Sequence, residues 1–280
     1  MSAGTPDPAL SLVAVIGRLR AAGCVFAEEE AELLAGAADS PEALRTMVER
    51  RVAGMPLEQV VGWAEFCGMR IVVEPGVFVP RRRSELLVRL ASARVVPGTA
   101  VIDLACGSGA IGAAIVTEAA AAAVSVELHA CDIDLAAVRC ARRNLSALHG
   151  HVHAGDLYEP LPAGLRGRVS VIAANVPYVP SEAVVLMPPE ARMHEPLLAL
   201  DGGADGLDVL RRAANGAGAW LAPAGHLLIE TSSGQASVAA DAFREAGLTA
   251  EIVVDEDLGA TVIVGQRPAL TARQFGQGER

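Results

Sequence analysis

V-I-D-L-A-C-G-S-G-A-I-G, residues 101–112, is the stretch on which the fold turns. Apolar residues around one acid make a short buried strand, and Gly107, Gly109 and Gly112 then satisfy G-x-G-x-x-G. That spacing permits a tight turn and lets a ligand approach backbone at a helix N-terminus. Alone the fingerprint is weak. It gains weight from Asp132 in A-C-D-I-D, an acid placed where the next strand should end, because a carboxylate there accepts both hydroxyls of a ribose. Asp134, two residues on, reads as the N-cap of the following helix.

Outward from this stretch, strands and helices alternate. A helix is expected from Ala110, a strand at V-E-L-H-A-C, a helix from Asp134 to Leu148, and strands at about 151–153, 169–174, 225–230, 250–254 and 261–265. Such alternation predicts a mostly parallel sheet covered on both faces. The last two strands are separated only by D-E-D-L-G, too short for a helical crossover, so they should pair antiparallel. Before this region, from about Pro8 to Gly54, apolar residues recur at helical spacing, with Ser40 and Pro41 as a cap and first-turn pair. Residues 64–80 switch to strand-like residues around Pro75-Gly76, which predicts a hairpin joining the helices to the sheet.

Composition narrows the chemistry. The 280 residues, 52% hydrophobic and 20% charged, suffice for one large α/β domain and a smaller one. A formal charge of −10, with no basic run longer than Arg81-Arg82-Arg83, argues against a surface that tracks nucleic-acid phosphates. All 23 basic residues are arginine, so phosphate loops that need a lysine and enzymes that form a Schiff base are excluded. Five cysteines form no C-x-x-C pair and no signal peptide opens the chain, which reads as reduced thiols in the cytoplasm. The alanine-rich stretch 112–123 contains Glu118 and is too short to span a bilayer. His149, His151 and His153 alternate as metal ligands do, but no carboxylate or cysteine spacing completes a zinc site, so no metal is expected. Trp63 and Phe66 read as hairpin packing rather than a stacking platform for bases.

Two ligands share the glycine turn and the ribose acid: a dinucleotide such as NAD, and S-adenosylmethionine. A dinucleotide sets its pyrophosphate at the helix N-terminus, whereas S-adenosylmethionine presents an ammonium and a carboxylate there. Asp103 supplies the negative charge an ammonium wants and a pyrophosphate does not, and the antiparallel final pair favours the methyl donor as well. Asp156 in A-G-D-L-Y follows the next strand, where it can accept from the exocyclic amine of adenine.

The fourth strand ends on A-A-N-V-P-Y, residues 173–178, where an amide, a proline and one of only two tyrosines follow an apolar run. With D-x-x-x-G-S-G-A-I and C-D-I-D, this motif resembles that of class I methyltransferases acting on amino groups, which carry N-P-P-Y there. G-M-P-L-E-Q-V-V-G-W-A-E-F-C-G (54–68), P-G-V-F-V-P-R (75–81), E-P-L-L-A-L-D-G-G-A-D-G-L (195–207) and L-I-E-T-S-S-G-Q (228–235) resemble, more specifically, the protein-glutamine N5-methyltransferases that modify peptide release factors. The resemblance runs from about Ala43 to Gly265. It implies a class I fold, a mostly parallel seven-stranded Rossmann-like sheet with an antiparallel last strand, plus a small N-terminal helical domain. The expected division is 1–63 for helical substrate recognition, 64–84 for the linking hairpin, 85–267 for the S-adenosylmethionine-dependent methyltransferase domain and 268–280 for a tail.

The chemistry the resemblance implies is physically coherent. A side-chain amide nitrogen is a poor nucleophile because its lone pair is delocalised, so its NH2 must be positioned and oriented toward the methyl group. The Asn175 side-chain oxygen and the main-chain carbonyl of Val176 can each accept one N–H, Pro177 keeps residue 176 extended, and Tyr178 packs on the planar amide. Asp103, Gly107, Gly109, Asp132 and Asp156, with the flanking Ala105, Ser108, Ile133 and Leu157 and with Asn175, form the expected donor-binding set. Val176 stands where the family has proline, Gln59 where it has tyrosine, and P-R-R-R-S-E (80–85) where it has P-R-P-E-T-E. The first exchange preserves the backbone carbonyl, while the other two bear on the acceptor. The expected partner is a protein bearing a glutamine, a release factor or another, with no membrane and no nucleic acid as direct substrate. The rivals are methylation of a nucleic-acid adenine or a small-molecule amide, an NAD-linked oxidoreductase, and a donor-binding protein without turnover.

Overall fold

The computed structural model describes residues 10–269. Four helices open it, α1 (Leu12–Ala21), α2 (Ala27–Ala37), α3 (Pro41–Val52) and α4 (Leu57–Val61). The first begins at Leu12 because the Ser11 hydroxyl caps the amide of Ala14, and Pro8 lies outside the described residues. Ser40 caps α3 through the amide of Ala43, as its pairing with Pro41 predicts. Val15, Leu19, Leu34, Val48 and Val60 close a separate apolar core among these helices. Arg51 and Glu30, both nearly buried, tie α3 to α2 by a two-pronged ion pair, a fixed planar geometry suited to guanidinium and carboxylate.

The hairpin is present, but its turn is not where the sequence places it. Strands β1 (Trp63–Phe66) and β2 (Met69–Val72) pair with Phe66 opposite Met69, so the turn is Cys67-Gly68. Both turn residues have positive φ, 49° and 72°, the twist that two-residue hairpin loops require. Pro75-Gly76 makes a separate turn closed by the Val77 amide on the Glu74 carbonyl, after which buried Val79 packs with Ala64 and Val73 and Val77 reaches the cleft described below. Phe66 packs in the core, and the Arg70 guanidinium lies 4.2 Å from the Trp63 ring centroid.

The larger unit follows as α5 (Glu85–Ser92), β3 (Ala100–Leu104), α6 (Ala110–Ala121), β4 (Glu127–Asp132), α7 (Leu135–Leu145), β5 (His151–Ala154), β6 (Val169–Ala174), α8 (Pro189–His194), α9 (Asp208–Ala217), β7 (Leu221–Thr231), α10 (Ala236–Glu245), β8 (Glu251–Asp255) and β9 (Ala260–Gln266). Seven strands form one sheet in the order β5-β4-β3-β6-β7-β9-β8. All neighbours are parallel except β7 with β9 and β8 with β9, which are antiparallel as the short connection requires. Alternate residues of the central strands face opposite layers: Val101, Val171 and Leu228 pack toward α5 and α6, while Ile102, Ile172 and Ile229 pack in the layer that holds Leu210 of α9 and Phe243 of α10. Because β4 and β6 flank β3 on opposite sides, the chain leaves β3 in two directions, and a crevice opens at the carboxyl ends of these strands. No helix among the described residues is long and apolar enough to cross a membrane.

Candidate active site

The glycine turn after β3 is built from behind. Asp103, on the last turn-ward residue of the β3 face that packs against α6, is fully buried, and its Oδ2 accepts the Gly112 amide at 2.8 Å. Glycine at 112 suits that approach, since a Cβ there would stand 3.0 Å from Asp103 Oδ2 and 3.1 Å from Leu128 Cδ1, tighter than ordinary contact. Burial pushes the Asp103 carboxyl up to about 8, against the Gly112 hydrogen bond and with a smaller push from Asp132, and its Oδ1 accepts no hydrogen bond from the described residues. Gly107 and Gly109 take positive φ at 55° and 78°, and so does Ala105 at 55°, a strained conformation for a residue with a Cβ.

Asp132 closes the next strand. Its Oδ2 accepts the Gly107 amide and its Oδ1 the Asp134 amide, each at 2.8 Å, so Asp132 and the glycine turn are locked to one another. Each oxygen keeps a second lone pair for a ligand hydroxyl. Burial raises the Asp132 carboxyl above its ordinary value, opposed by those amide hydrogen bonds. Asp134 caps α7 through the Ala136 amide at 2.8 Å. Asn144, which no motif drew attention to, donates to the carbonyls of Ser108 and Val72 and so ties the glycine turn to the hairpin.

One cleft brings these groups together. Ala105, Gly107, Ser108, Asp132, Ile133, Asp156 and Leu157 line one end, and Asn175, Val176, Pro177 and Tyr178 line the other. Asp103 and Gly109 do not reach its wall, and both support the turn from behind. Asp156 is ion-paired with Arg212 of α9, so part of its capacity as an acceptor is already in use. The cofactor the sequence implies fits this donor end: two carboxylates, backbone turned outward by positive φ, and no Cβ at Gly107 to close the approach. Its adenosyl group would meet Asp132, Ile133, Asp156 and Leu157, and its methionine part the glycine turn.

The acceptor end has an orienting network that the motifs did not reveal. Glu230, 1% exposed near the end of β7, accepts the Ser84 hydroxyl at 2.6 Å and Arg83 Nε at 2.9 Å. Ser84 Oγ in turn accepts Asn175 Nδ2 at 3.3 Å, and Arg83 donates to the Tyr178 hydroxyl. With its proton given to Glu230, the Ser84 oxygen can only accept, which fixes the Asn175 carboxamide with NH2 toward Ser84 and Oδ1 left as acceptor. Val176 is buried in the core, so its side chain faces apolar neighbours. The loop is clamped from below: Gln235 Nε2 donates to the carbonyls of Tyr178 and Asp205, and Gly202 N to Val179 O, each at 2.9 Å. Gly202 is needed there because a Cβ would stand 2.6 Å from the Pro177 carbonyl. The D-G-G-A-D-G-L and S-S-G-Q motifs therefore act as supports of N-V-P-Y.

Two expectations about the acceptor side change. Gln59 is 2% exposed and donates to the carbonyls of Val77 at 3.0 Å and His194 at 3.4 Å. It is an internal tie between α4 and the cleft rim, where burial leaves no surface to meet a partner. The arginine run is tied internally as well: Arg81 pairs with buried Glu195 and Arg83 with Glu230, and of the three only Arg82 forms no ion pair with a described residue.

The sheet order, a strand-end aspartate locked to a glycine turn, and an asparagine held at the end of β6 define a class I S-adenosylmethionine-dependent methyltransferase. The Methyltransferase small domain model matches residues 68–187. A release factor glutamine methyltransferase of Geobacter sulfurreducens is 35% identical over 229 residues, 80% of this chain and 78% of the relative. One of Deinococcus radiodurans is 34% identical over 282 residues, 98% of this chain and 94% of its own. The chain belongs to the release factor glutamine methyltransferase family. The solved 16S rRNA N2 G1207 methyltransferase of T. Thermophilus, in complex with AdoMet and guanosine, shares the fold at 22% identity and TM-score 0.52, covering 73% of this chain and 49% of that one.

Proposed function

We propose that this chain methylates the side-chain amide nitrogen of a glutamine in a peptide chain release factor. The observation that carries the reading is the fixed Asn175 carboxamide: Nδ2 is committed to Ser84, and Ser84 to Glu230. Asn175 Oδ1 and the Val176 carbonyl then take one amide hydrogen each. Holding both hydrogens fixes the amide plane, turns the nitrogen lone pair toward the donor end of the cleft and polarises the NH2 group, which is catalysis by alignment. Tyr178, whose hydroxyl is held by Arg83, offers its ring face to the planar amide.

S-adenosylmethionine supplies an electrophilic methyl group on sulfur and leaves as S-adenosylhomocysteine. The Asp103 carboxyl, fully buried behind the cleft wall, shapes the turn that receives the donor's methionine part through its hydrogen bond from Gly112. Asp132 receives the ribose hydroxyls and Asp156 the adenine amine. The proton displaced from nitrogen passes to water, and no strong base is required. The helical unit 1–63 is assigned to recognition of the acceptor protein: Val13, Val25 and Phe26 stand exposed on it, and Leu198 is an exposed residue of the cleft rim.

The test is incubation of the chain with isotopically labelled donor, its host's release factors, and host nucleic acid in a separate tube. Label on one release-factor glutamine, lost when that glutamine is replaced by asparagine, supports the reading. Label in nucleic acid with none in protein overturns it.

A further inference from the structure

The histidines of H-G-H-V-H do not act alone. Parallel register sets His151 of β5 directly beside His129 of β4, with Glu127 two residues before His129 and His153 two residues after His151 on the same face. His129 is 3% exposed beneath these neighbours, its ring stacked on His151 at 4.9 Å and on His153 at 5.3 Å between centroids. His129 Nε2 lies 3.0 Å from Glu127 Oε1, and its Nδ1 lies 3.0 Å from His153 Nε2. One donor atom from each of Glu127, His129 and His151 fits within a span of 4.8 Å.

We propose that Glu127, His129 and His151 form a binding site for a divalent transition-metal ion of the zinc or nickel type, on the β4–β5 face and apart from the methyl-transfer cleft. Two imidazoles and one carboxylate are a borderline donor set that such ions prefer over magnesium or calcium. Around a tetrahedral ion with bonds of about 2.0–2.1 Å, donor atoms stand roughly 3.3 Å apart, so side-chain rotation alone closes the cluster. Binding at His129 Nε2 needs that ring's proton on Nδ1, where His153 Nε2 is placed to accept it, a hydrogen bond that orients a ligating ring. Arg168, 3.7 Å from Glu127 Oε2, has to swing away. Cys131, next on this face of β4, stays outside the set because its buried thiol donates to the Leu157 carbonyl. Asp132 lies three residues beyond His129, roughly 10 Å along the strand, so the site and the donor end are distinct. Occupancy would pin edge strand β5 to β4.

The experiment uses the tag-free chain stripped with chelator, titrated with Zn2+ against a colorimetric indicator, and with Co2+ by absorption. One saturating equivalent is expected, without a thiolate charge-transfer band, and with a melting temperature that rises with metal concentration. His151→Ala and Glu127→Gln, both at exposed positions, should each weaken binding by about tenfold or more while donor affinity is unchanged. His149→Ala should bind as the parent does. Absence of saturable binding, a thiolate band, or equal affinity in His151→Ala and Glu127→Gln overturns the proposal.

Discussion

Replacing Asp103 by Asn isolates the charge stored behind the glycine turn. The folded carboxyl titrates at about 8, against an ordinary value of 3.8. Below the lower value both states are protonated and the group adds nothing. Between the two, the unfolded chain ionises and the folded chain does not, so stability falls as pH rises, by about 1.36 kcal/mol per pH unit. From about pH 5 to about pH 7.5 the loss is on the order of 3 kcal/mol. Asparagine keeps an oxygen for the Gly112 amide and does not titrate. The variant should therefore gain roughly 3 kcal/mol on the parent between those two pH values, measured by urea unfolding of both proteins. Asp132 is raised in the same direction in both and drops out of the difference. Donor affinity should stay close to that of the parent, because Asp103 lies behind the cleft wall and asparagine keeps the tie to Gly112. A stability difference independent of pH would refute the burial argument, and a large loss of donor affinity would refute the placing of Asp103 behind the wall.

The acceptor network and the turn give further expectations. Ser84→Ala frees the Asn175 carboxamide to flip and strips one donor from buried Glu230, so turnover should fall about tenfold at unchanged donor affinity, with about 1–3 kcal/mol lost in stability. Ser84→Thr should restore turnover, since only the hydroxyl is required. Gly112→Ala drives a methyl against Asp103 and Leu128, and should cost about 1–3 kcal/mol by urea unfolding and weaken donor binding through the displaced turn.

The sheet was legible because its signals are local. Alternating apolar runs, the D-E-D-L-G connection and the caps at Ser40 and Asp134 each specify their own neighbourhood, and all appear as read. The hairpin turn was misplaced because Pro75-Gly76 is the stronger turn signal by composition, whereas Cys67 takes its positive φ from the register around it. The candidate site divides in the same way. Asp132 and the N-V-P-Y loop announce themselves by residue type at strand ends, and the structure brings them into one cleft. Ser84, Arg83, Glu230 and Asn144 were missed because their roles depend on partners 36 to 147 positions away. A glutamate inside the apolar run L-L-I-E-T was the one available sign of a buried network. The neighbourhood of Glu127, His129 and His151 is likewise not legible along one strand, because parallel pairing of β4 with β5 creates it.

The most direct test compares donor affinity and turnover in Asn175→Ala. If Asn175 positions the acceptor amide, calorimetry with S-adenosylhomocysteine should give nearly parental affinity, while turnover on the release factor falls by about 100-fold or more, because alignment acts on the chemical step. A parallel loss of donor affinity and rate, or turnover close to that of the parent, would contradict the account.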